Sequence, residues 1–292
     1  MDSSLIGKSI YYLRKKNKIT QKKLSENICT QAQISKIEKG EVVPLSTTLY
    51  EIARKLGVDI NYFFEEGSSP RSDYIKDVKS VVRKAIRERD YHTVEEIVKA
   101  EDNNPLFQEG ENKQFLLWHQ GIVHFHLYQD GATALELLHE ALVVHSREDR
   151  TLYTMTEIEI LNSIGIIHYE TGNSKRSVDI FKEALQHLTK LSLPQTHLVK
   201  ARIYFGLTNS LTALEEFKPC ISYCEEGIQL CLENESLYLL GEFFYQSGNA
   251  YFELQYKEKG LQHLENSKFI FAIEKKHHYV SYVQERINHF IH

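Results

Sequence analysis

Proline and glycine are scarce, 5 and 14 in 292 residues, so few positions interrupt a helix and long uninterrupted stretches favour one. No apolar run is long enough to span a membrane, and the first residues lack the pattern of a signal peptide. Cysteine is scarce too. Cys29, Cys220, Cys224 and Cys231 are the four, and three of them fall on one expected helix, where they cannot staple loops together. That speaks against a disulfide framework and fits a reducing cytosol; the role expected of them is that of small buried residues. No spacing supports a metal site. The histidines of HFH (124–126) and KKHH (275–278) do not share a helix face. A glycine-rich phosphate loop, a nucleophile elbow and a carboxylate constellation are all missing, so no catalytic residue, metal or cofactor is expected.

What is present is unevenly placed. The net charge is −5, yet residues 1–66 hold eleven Lys/Arg against eight Asp/Glu, and residues 8–39 hold nine against two. The remainder holds 24 against 32. A basic cluster at one end of an acidic chain points to an anionic partner for that end; a solvated charged face is the plain alternative.

The basic end has a helical pattern. Ile6, Ile10 and Leu13 recur at helical spacing, Thr20 can cap a second helix with Leu24 and Ile28 inside, and Thr30 can cap a third. Gln33, three residues after Thr30, completes a capping-box pattern. Ile34 and Ile37 then face inward, Gly40 can stop the helix, and a fourth helix starts near Pro44 and Ser46 with Leu49, Ile52, Ala53 and Leu56 inside, ended by Gly57. The third helix shows Gln31, Ala32, Ser35 and Lys36 outward. A glutamine amide can donate and accept against adenine, and an alanine methyl can meet a thymine methyl. The preceding helix starts with Gln21, Lys22 and Lys23, suited to phosphate oxygens. Residues 6–64 resemble the helix-turn-helix domain of the Xre/Cro family, through Leu13-Arg14, Thr20-Gln21, Leu24, ISKIEKG (34–40), Pro44, Leu49, Ile52, Ala53, Leu56-Gly57 and Phe63. The resemblance assigns DNA contact to Gln21, Lys22, Thr30, Gln31, Ala32, Gln33, Ser35 and Lys36. One departure concerns the turn before Thr30, which usually contains a glycine in that family; here Ile28-Cys29 leads straight into Thr30, and a turn one residue shorter is expected.

The stretch EEGSSPRSD (65–73) is the best boundary. It divides the chain into a helix-turn-helix domain over 1–66, a linker over 67–73 and a second domain over 74–292, with a helix restarting at a Ser72 or Asp73 cap. Beyond residue 70 no strand-like alternation stands out. Ala134, Ser177, Cys220 and Gly260 sit in similar contexts at separations of 43, 43 and 40, and Ala141, Ala184, Gly227 and Ser267 repeat those separations. Forty residues before Ala134 lies Val94. A helical hairpin used about five times follows, and periodicity alone implies a solenoid with a continuous core and a concave face. The unit LNSIGIIHYETGNSKRSVDIFKEALQHL (161–188) resembles the tetratricopeptide repeat, with extra residues per unit.

In that resemblance the first helix of each unit lines the concave face. With p the small residue of the second helix, inward positions fall near p−18, p−15, p−11 and p−8. They select Arg83; His119 and His126; Asn162 and Tyr169; Arg202, Phe205 and Asn209; and Tyr245, Asn249 and Phe252. Amides can pair with an extended peptide backbone, rings can make pockets, and Arg83, Arg87 or Arg202 can hold a carboxylate. Inter-repeat packing of the rings and solvation of the amides is the competing reading for any single residue.

The expected fold is therefore all-α: an Xre/Cro-type helix-turn-helix followed by a right-handed solenoid of about five tetratricopeptide-like hairpins. This combination is similar to the Rap/Rgg/NprR/PlcR/PrgX family of peptide-sensing regulators, and to its PlcR-type members above all, through TQKKLSENIC, ISKIEKG and LLGEFFYQSGNAYFELQY (239–256). The resemblance implies a cytosolic homodimer that binds a palindromic double-stranded operator and a short signalling peptide, in quorum sensing. Two other readings stay open: a constitutive dimeric regulator whose repeats hold a protein partner, and an interaction protein like the Rap branch.

Overall fold

The computed structural model describes residues 3–65, 70–144, 152–191 and 196–291. Among them are sixteen α-helices, one 3-10 turn and no strand. The chain packs as two compact units, 1–88 and 89–292. Of the expected joint, residues 66–69 lie outside the described ones.

The first unit holds α1 (Ser3–Lys16), α2 (Gln21–Ser25), α3 (Gln31–Glu38), α4 (Ser46–Leu56), α5 (Tyr62–Glu65) and α6 (Pro70–Glu88). Helix α6 starts ahead of the anticipated Ser72 or Asp73 cap, at a proline, whose fixed φ suits the first helical position. The apolar stripes of α1 to α4 close on one core in which Ile10, Leu24, Ile34 and Ile52 are wholly buried, and Phe63 of α5 seals it. Helix α1 lies close on α3 because residue 7 is glycine: a Cβ there would come within 2.1 Å of the Ile37 carbonyl oxygen. Gly57 ends α4 in the left-handed region at φ 75°.

The second unit opens with α7 (Tyr91–Glu101). Four hairpins follow: α8 (Gly110–Tyr128) with α9 (Gly131–Val143), α10 (Met155–Glu170) with α11 (Ser174–Thr189), α12 (His197–Ala213) with α13 (Phe217–Glu233), and α14 (Leu240–Glu253) with α15 (Lys257–Ile273). Helix α16 (His277–Ile291) packs on α15 and completes the stack. Each hairpin touches the next, and the first helices α8, α10, α12 and α14 also touch in succession.

The small residues that mark the repeat are where second helices press on first ones. Ala134, Ser177, Cys220, Ala141, Ala184 and Ser267 are fully buried. Ser177 donates from Oγ to the Gly165 carbonyl at 2.7 Å, twelve residues back, and the Cys220 thiol faces the Thr208 carbonyl at 3.6 Å over the same interval. The fully buried ring of Phe181 lies against both Gly165 and Gly206, so one ring from α11 fills a space shared by two successive first helices.

Burial also sets how this unit answers to acid. It holds the imidazoles of His126, His168, His187 and His263 below their ordinary range. The unfolded chain then takes up these protons at higher pH than the folded one. Their contribution to stability is complete above the unfolded value of about 6.5 and declines as pH falls through and below it. Urea unfolding followed by the fluorescence of Trp118, the single tryptophan, should show a midpoint that drops between roughly pH 7.5 and pH 5. His263→Gln should flatten part of that drop; a midpoint with no slope across the window would rule the histidines out.

Candidate nucleic-acid interface and ligand groove

The start of α3 is built by local hydrogen bonds. Thr30 Oγ1 accepts from the Gln33 amide at 3.2 Å, and Gln33 Oε1 accepts from the Thr30 amide at 3.1 Å, the capping box expected from the sequence. Gln31, Ala32, Gln33 and Lys36 are exposed, Ser35 is half-buried, and Ile34 and Ile37 point into the core. Of the polar residues in the first turn, Thr30 and Gln33 are engaged with each other, and Gln31 keeps its amide outward. Helix α2 stops at Ser25, four residues separate it from Thr30, and Asn27 among them adopts φ 61°, taking the left-handed position for which asparagine is the usual alternative to glycine.

Helix α2 is tied to α3 by a network that sequence reading missed. Arg14 of α1 forks onto Glu38 at the end of α3, with Nε to Oε1 at 2.5 Å and Nη2 to Oε2 at 2.8 Å, and Nη1 donates to the Ile19 carbonyl at 3.0 Å. Gln21 Nε2 reaches the same Glu38 Oε2 at 2.8 Å. Arg14 and Glu38 are both buried, and the hydrogen bond that the guanidinium donates to Glu38 holds it above its ordinary pKa. One carboxylate thus fixes three helices. The half-buried Gln21 meets Glu38 instead of pointing outward, whereas Lys22 and Lys23 beside it are exposed. The signal was available: an arginine and an acid at the inner ends of two helical stripes.

In the second unit the first helices are joined side by side by polar side chains. Trp118 Nε1 of α8 donates to Ser163 Oγ of α10 at 2.9 Å. Arg202 Nη2 of α12 meets Glu159 Oε1 of α10 at 2.6 Å. Gln246 Nε2 of α14 donates to Asn209 Oδ1 of α12. Arg286 Nε of α16 donates to Asn249 Oδ1 of α14 at 2.8 Å. Glu159 itself lies at p−18, a position the counting rule reaches.

The expected ligand residues divide accordingly. Arg202, Asn209 and Asn249 belong to these cross-links. Asn162 is buried, and its Oδ1 has no hydrogen-bond partner among the described residues; an unfilled buried amide oxygen costs about 1–3 kcal/mol until something donates to it. Tyr169, Phe205 and Tyr245 are half-buried. His126 stacks on Tyr91 at 4.0 Å. His119 and Phe252 turn inward. His119 is 2% exposed, with Nδ1 2.7 Å from the Phe115 carbonyl, and Phe252 stacks on Phe290 at 3.8 Å. Burial and pairing of that kind support a packing role for both. Arg83 and Arg87 are exposed on α6 and belong to the first unit.

A groove of about 700 Å³ lies between α14 and α16, lined among others by Tyr245, Asn249, Tyr282 and Arg286. Tyr245 and Tyr282 stack obliquely at 5.5 Å. Burial, then the hydrogen bond with Tyr282, pushes the Tyr245 phenol up to about 12, so it stays a neutral donor at ordinary pH. Among the described residues no group of three His, Cys, Asp or Glu side chains is placed to hold a metal ion, and no helix is long and apolar enough to cross a membrane.

Known proteins agree with this architecture. Residues 79–292 match the RNPP family C-terminal domain, and residues 10–63 match a helix-turn-helix domain. Among solved structures, Bacillus thuringiensis PlcR in complex with the peptide PapR7 and DNA aligns with a TM-score of 0.82 at 25% identity, over 96% of this chain and 99% of that one. The Streptococcus dysgalactiae SHP pheromone receptor Rgg2 aligns at 0.66 and 15% identity, over 97% and 98%. ComR from S. thermophilus, solved with DNA and its signalling peptide ComS, aligns at 0.65 and 13% identity, over 98% and 99%. The last two show the fold. A comparison with curated proteins returns no match.

Proposed function

The chain belongs to the RNPP family, and from that premise we propose that it is a cytosolic transcriptional regulator whose repeat array binds a short signalling peptide and thereby controls promoter binding. One observation carries the reading: 96% of the chain aligns with a regulator that was solved holding both a peptide and DNA. The geometry supports both halves. Helix α3 presents Gln31 and Ala32 outward from a capped, core-anchored first turn. The inner helices carry amides at the counted positions, and Asn162 has an acceptor still unfilled. The regulator acts as a homodimer, because two heads about one helical turn apart, roughly 34 Å, match the halves of a palindrome.

Binding of peptide shifts DNA affinity only through a difference in its affinity for two states of the protein. The coupling is reciprocal: operator must change peptide affinity by the factor by which peptide changes operator affinity. Calorimetric titration with a peptide selected from a random seven-residue library, with and without an operator selected from a randomised duplex pool, measures both factors. Peptide binding that leaves operator affinity untouched would favour the constitutive regulator instead.

The DNA half makes its own prediction. Gln31→Ala should weaken the selected operator by about 1–3 kcal/mol and leave random duplex almost unaffected. Lys22→Ala should weaken all duplexes alike and lower the salt dependence. Equal losses on both duplexes for Gln31→Ala would remove it from base reading.

A further inference from the structure

The expected carboxylate holder of the inner face, Arg202, is already taken by Glu159 at 2.6 Å. Arg286 is placed differently. Its Nε donates to Asn249 Oδ1 at 2.8 Å, and Asn249 Nδ2 in turn donates to the Tyr245 carbonyl at 2.9 Å. Both ends of that amide are therefore used within the array, and Asn249, only 8% exposed, acts as a bracket for the arginine. The guanidinium lies over the Phe290 ring at 4.4 Å, and Phe290 stacks flat on Phe252 at 3.8 Å. Arginine, ring and ring form a layered block with one guanidinium edge fixed.

The other edge is unfilled. Among the described residues no acceptor takes a hydrogen bond from Nη1 or Nη2. The nearest carboxylate oxygen, Glu253 Oε1, is 3.9 Å from Nη2, beyond hydrogen-bond range, on an exposed side chain that can turn to solvent. A guanidinium edge held at this angle matches the two oxygens of a carboxylate, and its orientation is set before the ligand arrives. It faces the groove of about 700 Å³ between α14 and α16. Glu215, Glu253 and Glu285 line the same groove, so a singly charged group is accepted more readily than a doubly charged one such as phosphate.

We infer that Arg286 holds a carboxylate of the bound peptide, and that Asn249 is its positioning residue. The inference rests on the peptide-binding reading above and adds the chemistry of one end of that site. The carboxylate comes from the peptide's C-terminus or from an Asp or Glu side chain, and the test separates the two.

The full-length chain is incubated with soluble libraries of random seven-residue peptides, and the retained peptides are read by mass spectrometry. One library has free C-termini and no Asp or Glu. A second is amidated and contains Asp and Glu. A third is amidated and contains neither. Retention of the first or second library about tenfold above the third is expected, and which of the two is retained names the source. Arg286→Gln should abolish the preference. Arg286→Lys, which keeps the charge and loses the fork, should reduce it. Asn249→Ala should lower the preference for the first or second library over the third, a ratio that a general packing defect would not move. The unfolding midpoint reported by Trp118 identifies any variant that fails to fold. Retention with no preference in the wild type, or a preference that survives in both Arg286 variants, overturns the inference and leaves peptide binding standing. Retention of none of the libraries overturns peptide binding and the inference together.

Discussion

Replacing Glu38 by alanine should cost the first unit about 3–5 kcal/mol, because it leaves the Arg14 guanidinium buried without its counter-charge. The magnitude follows from burial. Arg14 and Glu38 are almost sealed from solvent, and arginine does not escape by losing its proton. An exposed pair such as Arg54 and Glu51, at 3.4 Å on α4, is worth about 0–1 kcal/mol, so Glu51→Ala serves as the control. A domain of this size has a total stability of roughly 0.05–0.15 kcal/mol per residue, and the loss at Glu38 removes a large share of it. Gln21 loses its partner in the same step, so α2 and α3 are released together. Amide hydrogen exchange resolved by peptide should show protection lost across α1 to α3 while the repeat array keeps its own. Unchanged protection in the Glu38→Ala protein would mean that the apolar core alone holds these helices.

Gly206→Ala should be the most damaging single methyl in the repeat array. A Cβ there would stand 2.3 Å from Cζ of Phe181, and a Cβ at Gly165 would stand 2.7 Å from Cε1 of the same ring. The ring is wholly buried and held from two sides, so relief requires a shift of helix α12. Overpacking of this kind costs about 1–3 kcal/mol, and removal of the ring by Phe181→Ala costs about 3–5 kcal/mol. The two changes meet in one space, so Gly206→Ala with Phe181→Leu should cost less than the sum of the separate losses. Urea unfolding read by Trp118 gives the three values. Strict additivity would show that the glycine and the ring do not share the contact described.

Much of this was legible in the residue order. Periodic apolar positions gave the helices of the first unit, and Thr30 with Gln33 gave the start of α3, because those signals act within one or two turns of chain. Ser177 and Cys220, separated by 43 residues, located the repeat because each packs on the carbonyl twelve residues before it. Other features were out of reach for the same reason. Arg14 and Glu38 are 24 residues apart and meet only once three helices have closed. Asn27 could take the place of a turn glycine only because asparagine tolerates positive φ. His119 and Phe252 obeyed the counting rule yet face inward, since the rule fixes a backbone position and leaves the rotamer to the neighbours. Arg286 escaped the rule altogether. Counting starts from a small residue on a second helix, and α16 comes after the last one.

The capping box at Thr30 has a consequence for how much a single head can know about its target. Gln33 commits its side-chain oxygen to the helix end, so among the described residues of the outward first turn Gln31 offers the amide that can both donate and accept, beside the methyl of Ala32. A good bidentate amide contact separates right from wrong base by about 1–3 kcal/mol. A genome presents on the order of a million or more wrong addresses. On the proposed DNA-reading role of α3, one head carries too little information to find a promoter, and a second copy reading the mirrored half-site doubles it.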